Sequence, residues 1–194
     1  MCSGNRLSER RVFVRGRVKG KLVQEYDKRV RFEQLILPHL EAAYNLARWL
    51  THNDQDAQDM VQDAYLRAFR FFPSFHGGDS RAWLLTIVRN TCYTWLHRQH
   101  TDEVFDEEIH DIEAENLNPE ALEMHLLDQQ KLKEAIEELP TEFREVIVLR
   151  ELEELSYKEI SSIAHVPVGT VMSRLARARK RLQNYLTARS KEEE

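Results

Sequence analysis

Thr170, Ser173, Arg174, Arg177 and Arg181 share one side of a helical repeat near the C-terminus. Val171, Leu175, Ala178 and Leu182, spaced by four, three and four, share the other. An arginine fork can hold two acceptors on a guanine edge, and serine or threonine hydroxyls reach phosphates and bases. Arg174, Arg177, Arg179, Lys180 and Arg181 follow one another with no acid among them. The chemistry on offer is recognition of nucleic acid. The plainer alternative is a helical hairpin whose arginines are simply solvated.

The elements that position these residues are legible. Ser156 and Glu159 have the S-x-x-E spacing of a capping box, which starts a helix. Ile160, Ile163 and Ala164 give it an apolar stripe. His165-Val166-Pro167 ends it, because proline has no N–H to donate and restricts the residue before it. A second helix is expected from near Val168. Two short helices and a tight turn make the pattern of a DNA-binding helix-turn-helix, whose second helix enters the major groove.

A second group mixes aromatic and basic side chains. The loop Phe75-His76-Gly77-Gly78-Asp79 leads into a helix carrying Trp83, Tyr93 and Trp95 among Arg81, Arg89, Asn90, His97 and Arg98. Such a mixture suits stacking on unpaired bases. Trp83 reads as core, since aromatics are large apolar groups first, and Tyr93 beside Arg89 and Asn90 reads as the platform. Asp79 or Ser80 is the expected cap of this helix. Cys92, His97 and His100 have offsets of five and three that do not assemble a ligand set, so neither metal nor cofactor is expected. No nucleophile–base grouping, phosphate loop or paired catalytic carboxylate stands out. The reading is not an enzyme and not a binder of small-molecule substrate.

The chain has 194 residues and a net charge of -5, which sits oddly with DNA binding until the charge is mapped. Residues 101–128 hold eleven of the 33 acids and no Lys or Arg, so 22 acids face 28 bases elsewhere. Two distant cysteines give no disulfide framework and fit a reducing compartment. No apolar run approaches a membrane span, and the basic N-terminus lacks the apolar segment of a secretory signal. The expectation is a cytoplasmic protein without membrane insertion.

Few glycines, prolines and alternating β-branched runs predict an all-α chain of two small helical domains joined by an acidic flexible linker. Residues 1–31, with ten Lys or Arg against three acids, read as a basic, disordered extension. Residues 32–100 read as the first domain and residues 101–118 as the linker. The second domain spans 119–189, and 190–194 is a charged tail. Within the first domain, Asn53 or Asp54 caps a helix ending before Pro73. Ala57, Val61, Ala64, Tyr65, Ala68 and Phe69 form its inner face; Asp56, Asp59, Gln62, Asp63, Arg67 and Arg70 form its outer one. In the second domain Leu122, Leu126, Leu127, Leu132, Ile136 and Leu139 mark one helix before Pro140. Thr141 opens the next with an S/T-x-x pattern in which Arg144 stands where a capping box has Glu.

The order DAQDMVQDAYLRAFRFF, FHGGDSRAWLLTIVRNTCYTWL, acidic linker, and LPTEFREVIVLRELEELSYKEISSIAHVPVGTVMSRLARARKRL resembles bacterial RNA polymerase sigma factors of the extracytoplasmic-function (ECF) type, in the sigma-70 superfamily. The likeness runs from about Phe32 to Leu186. It implies a σ2 domain and a σ4 domain, the latter with the helix-turn-helix. By that resemblance Asp56, Asp59, Gln62, Asp63 and Leu66 would dock on the β′ clamp helices of core polymerase, and σ4 would meet the β flap. Phe75, His76, Arg81, Arg89, Asn90, Tyr93 and Arg98 would hold the melted −10 strand, with a base flipped into a pocket. Thr170, Ser173, Arg174, Arg177 and Arg181 would read the −35 element of promoter DNA. The linker would run toward the RNA exit path, and an anti-sigma factor is an expected partner. The rival reading is a free-standing helix-turn-helix regulator that acts without polymerase core.

Overall fold

The computed structural model describes residues 25–102 and 129–192. The expected linker from 103 onward, the basic residues 1–24, and Leu122, Leu126 and Leu127 lie outside the described residues. Among the described residues every regular element is helical, as the composition predicts.

Helix α1 covers residues 25–35, earlier than the expected start near Phe32. Ionic and aromatic contacts order its first turns. The Lys28 ammonium lies 4.0 Å from the centre of the Phe69 ring, and Arg29 pairs with Glu33 one turn on at 2.9 Å. Phe32 is 7% exposed and meets Tyr65, Phe69 and Phe72 edge-on. The tail reading was therefore too long at its C-terminal end. Pro38 then forces a single 3-10 turn, Leu37–His39, before α2, Leu40–Thr51.

Helix α3, Asp54–Phe71, starts at Asn53, whose side-chain oxygen accepts from the amides of Gln55 and Asp56. Phe72-Pro73-Ser74 closes it in a 3-10 turn. Gly77 and Gly78 take φ of 97° and 100°, which side chains resist, and the chain doubles back into α4, Ser80–Asp102. Asp79 caps α4 by accepting from the Ala82 amide at 3.0 Å. Residues 101 and 102 thus continue a helix rather than begin the linker.

The second unit opens with α5, residues 129–137. Helix α6, Thr141–Ile147, runs into a π-helical turn at Val148–Leu152. Helices α7, Tyr157–Ala164, and α8, Val168–Glu192, follow. The capping box at α7 is complete: Ser156 accepts from the Glu159 amide, and the Glu159 carboxylate from the Ser156 amide at 2.7 Å. His165 turns the chain in the left-handed region at φ 55°. Val171, Leu175 and Ala178 are buried and Leu182 half-buried, matching the sequence periodicity. Helix α8 continues through residues 190–192, which were expected to form a frayed tail.

Thr141 makes no cap, because Pro140 occupies that place and Thr141 already lies in the helix. Arg144 is 4% exposed and does something the S/T-x-x pattern did not suggest. Its guanidinium donates to the carbonyls of Ile136, Glu137 and Leu139 at the end of α5, and to that of Trp49 near the end of α2 at 3.0 Å. Helix C-termini leave carbonyls without partners, and one arginine fork serves two of them. It also touches the His52 imidazole.

The two units are packed together. Their apolar residues form one continuous core, from Leu46, Leu50, Leu84 and Val88 to Val146, Leu149, Ile160 and Leu175. The principal contacts between the units are α4 with α7 and α2 with α6.

Candidate nucleic-acid interface

The predicted recognition residues lie on three surfaces. On α3, Asp59, Gln62 and Asp63 are exposed and Leu66 is 65% exposed, although leucine prefers burial. Asp56 is half-buried on the same side. Ala57, Val61, Ala64 and Ala68 fill the core behind them. An acidic face with a bare leucine at its middle is suited to a partner that brings bases and an apolar pocket.

The second surface is α4 and its loop. Phe75 leans on Trp83 with centroids 5.0 Å apart and on Phe72 at 6.0 Å. That aromatic cluster fixes the loop while leaving His76 exposed. Trp83 is half-buried in the cluster, close to the core role expected of it. Asn90 and Arg98 are exposed.

Arg81, Arg89 and Tyr93 are engaged with the second unit. The Arg89 Nε donates to Oε1 of Glu145 at 2.6 Å, and its guanidinium lies 4.1 Å from the centre of the Tyr93 ring. The Tyr93 hydroxyl donates to the other Glu145 oxygen at 2.9 Å. Burial, and then the Glu145 charge, push the Tyr93 phenol above its ordinary range. Arg81 pairs with Glu153, which the π-helical turn delivers to the start of α4. Glu145 and Glu153 escaped the sequence reading. A signal existed, since FREVIVL puts a glutamate among apolar residues on a helix that periodicity would bury.

The third surface is α8. Ser173 and Arg177 are exposed and Arg174 half-buried. Thr170 is half-buried in the first turn. Arg181 lies 5.5 Å from the Phe143 ring, so its stem folds back over α6. Arg179 is paired with Glu151 at 2.6 Å, which removes it from the free basic run. Met172, 52% exposed in the first turns, was not singled out by the sequence reading.

Cys92 is buried, and desolvation pushes its thiol up to about 12. It packs in the apolar core as part of the same cluster as Val88 and Leu85.

This arrangement, a helix-turn-helix behind an aromatic and basic helix, coincides with two family matches. Residues 35–101 match "Sigma-70 region 2", and residues 129–182 match "Sigma-70, region 4". The chain is 39% identical to the ECF RNA polymerase sigma-E factor of Escherichia coli K12, over 66% of this chain and 73% of that one. The chain belongs to the sigma-70 family. Within it the chain is an ECF-type sigma factor. It is also 34% identical to the ECF sigma factor SigE of Mycolicibacterium smegmatis, over 83% of this chain and 63% of that relative's length. Among solved structures it is similar to the sigma factor RpoE of Bartonella quintana, crystallised with the anti-sigma factor NepR. The TM-score is 0.66 and the identity 33%, covering 81% of this chain and 97% of that one. The first unit is therefore σ2 and the second σ4. No helix among the described residues is long and apolar enough to cross a membrane.

Proposed function

We propose that this ECF sigma factor binds RNA polymerase core through α3, holds the melted −10 strand on α4 and its loop, and reads the −35 element with α8. The first domain would take in residues 25–102 and the second residues 129–192. The observation that carries this is the separation of three chemistries onto three faces. They are an acidic face with exposed Leu66, an aromatic–basic helix after a glycine loop, and an acid-poor first half of a recognition helix. The protein would break no bond. Its binding energy would trap unstacked bases, with Phe75 and His76 framing the flipped one and Arg89, Asn90, Tyr93 and Arg98 along the strand. Thr170, Ser173, Arg174 and Arg177 would reach bases or phosphates, and Arg181 the backbone after leaving Phe143. Met172 adds an apolar contact of the kind a thymine methyl accepts.

The partners would be core polymerase, at the β′ clamp helices and the β flap, together with promoter DNA and an anti-sigma factor. The Bartonella relative was solved with such an inhibitor. The test is capture of bacterial core polymerase by the purified chain, followed by run-off transcription on a promoter library. Capture with transcription from a subset of promoters is the expected result. Failure to capture core, in the absence of any anti-sigma factor, would return the free-standing regulator.

A further inference from the structure

The first turns of α8 carry a second chemistry beside the arginines. Val168 is 39% exposed and Met172 52% exposed. One helical turn separates them, so they lie side by side on one flank of the helix. Ala176, a turn further on, is exposed on the same flank. Thr170, Arg174, Arg177 and Arg181 follow the other flank, and Gly169 and Ser173 run between the two. The apolar strip ends at Arg179, which is tied to Glu151. The fold makes no use of the strip, because Val171, Leu175 and Ala178 already anchor this part of α8 in the core.

Gly169 is the second observation. It is helical and takes no positive φ, and an added Cβ there would meet no atom within 4 Å. Glycine is the poorest helix former after proline. A residue that weakens its own helix and relieves no crowding inside the molecule makes room for something outside it. Ser173, next along the same line, is also small, and its hydroxyl donates back to the Thr170 carbonyl at 3.0 Å.

We infer that Val168 and Met172 form a seat for the 5-methyl group of a thymine in the −35 duplex, and that Gly169 lets the helix come close enough to fill it. This rests on the −35 reading of α8 given above, and adds to it a base, a chemical group and a side of the helix.

The thymine methyl is the apolar feature of the major groove, whereas guanine presents two acceptors that an arginine fork matches. The two flanks of α8 therefore sort the bases they meet. Guanine edges belong toward Arg174 and Arg177, and thymine methyls toward Met172. Methionine suits the task, since its unbranched, polarisable side chain can follow the methyl it covers. A cytosine in that place would set a polar amino group beside a flank that has nothing to pair with it.

The test uses the full chain assembled with core polymerase. A promoter library first yields the preferred −35 duplex. Each thymine in that duplex is then replaced singly by uracil, which removes the methyl and nothing else. Promoter binding should fall by about fourfold at one or two of these positions, the worth of one buried methyl. Met172→Ala should bind the thymine and uracil promoters equally. Gly169→Ala should raise the melting temperature, because alanine favours the helix, yet weaken promoter binding by about fivefold or more, as a mismatched base pair does.

Uracil without effect at every position overturns the methyl seat and leaves the −35 reading standing. So does an undiminished uracil penalty in Met172→Ala, or a preferred −35 duplex that contains no thymine. Promoter binding by Gly169→Ala equal to that of the parent chain overturns the close approach. A library that enriches no −35 sequence overturns the −35 reading itself, and the seat with it.

Discussion

Helices α3 and α4 of σ2 each carry a row of residues proposed to meet a partner, and the two rows are in opposite states. On α3, Asp59, Gln62, Asp63 and Leu66 face solvent, and a bare leucine there has no use within the fold. On α4, Arg81, Arg89 and Tyr93 are taken up by two acids of σ4. On the proposed assignment the polymerase face stands open, whereas Arg81, Arg89 and Tyr93 of the DNA face are already paired. Residue type decides which face can be hidden. Arginine and tyrosine are satisfied by a carboxylate from the same chain, while Asp59 and Asp63 would meet repulsion from σ4 acids.

The largest effect is expected from removing what joins the units independently of the acids. Arg144→Ala leaves carbonyls of α2 and α5 without their donor. Each buried acceptor left without a donor costs about 1–3 kcal/mol, so a total of about 3–5 kcal/mol is expected once the site relaxes. Thermal unfolding should show it, and an unchanged midpoint would remove Arg144 from the seam. Next in size, Leu66→Asp on the open face should weaken core capture by about 2–4 kcal/mol, the range of an interface anchor, with melting temperature unchanged. Asp63→Arg should act in the same direction. A large fall in melting temperature for either would mean that the open face is part of the fold.

Arg174→Ala should cost about 1–3 kcal/mol at the −35 element if the guanidinium is bidentate to a base. Equal loss on random duplex would limit it to phosphate.

The smallest effect concerns acid. Burial, with Arg144 beside it, holds the His52 imidazole down at about 4, against 6.5 in the unfolded chain. The unfolded state therefore binds the proton first, so stability is complete above about pH 6.5 and declines as pH falls toward 4. The ring keeps an exposed edge, which moderates the loss. His52→Gln should flatten the decline in a pH-dependent melt, and an identical slope would assign the acid sensitivity elsewhere.

Local signals in the sequence were reliable where the physics was local. Asn53, Asp79 and the Ser156–Glu159 box act within three residues of themselves; the box stands where its spacing placed it, and the other two caps fall on one of the two neighbouring positions expected. The inner face of α8 followed from periodicity alone. What escaped was long-range. Arg144 reads as a defective capping box because its partners lie at residues 49 and 136–139, which no spacing rule connects. Arg81, Arg89 and Tyr93 were legible as a surface for nucleic acid. Their engagement by acids 52 to 72 residues away was not. The early start of α1 was hidden behind the basic run at residues 1–24, since the Phe69 ring that receives Lys28 comes from another helix.

Helix α8 has one further consequence. It is a single rod from Val168 to Glu192, about 37 Å long at 1.5 Å per residue. Its distal end is tethered to α5 through Arg189 and Glu134, while its proximal end carries the reading head. Val171, Leu175 and Ala178 pin the first half of the rod in the core, so the pivot lies there and the tethered end is the free arm. A tilt of about 10° about that core swings the far end by roughly 4 Å at 1.5 Å per residue. A partner that grips the far end therefore has a handle on the orientation of the proposed recognition residues without touching a base.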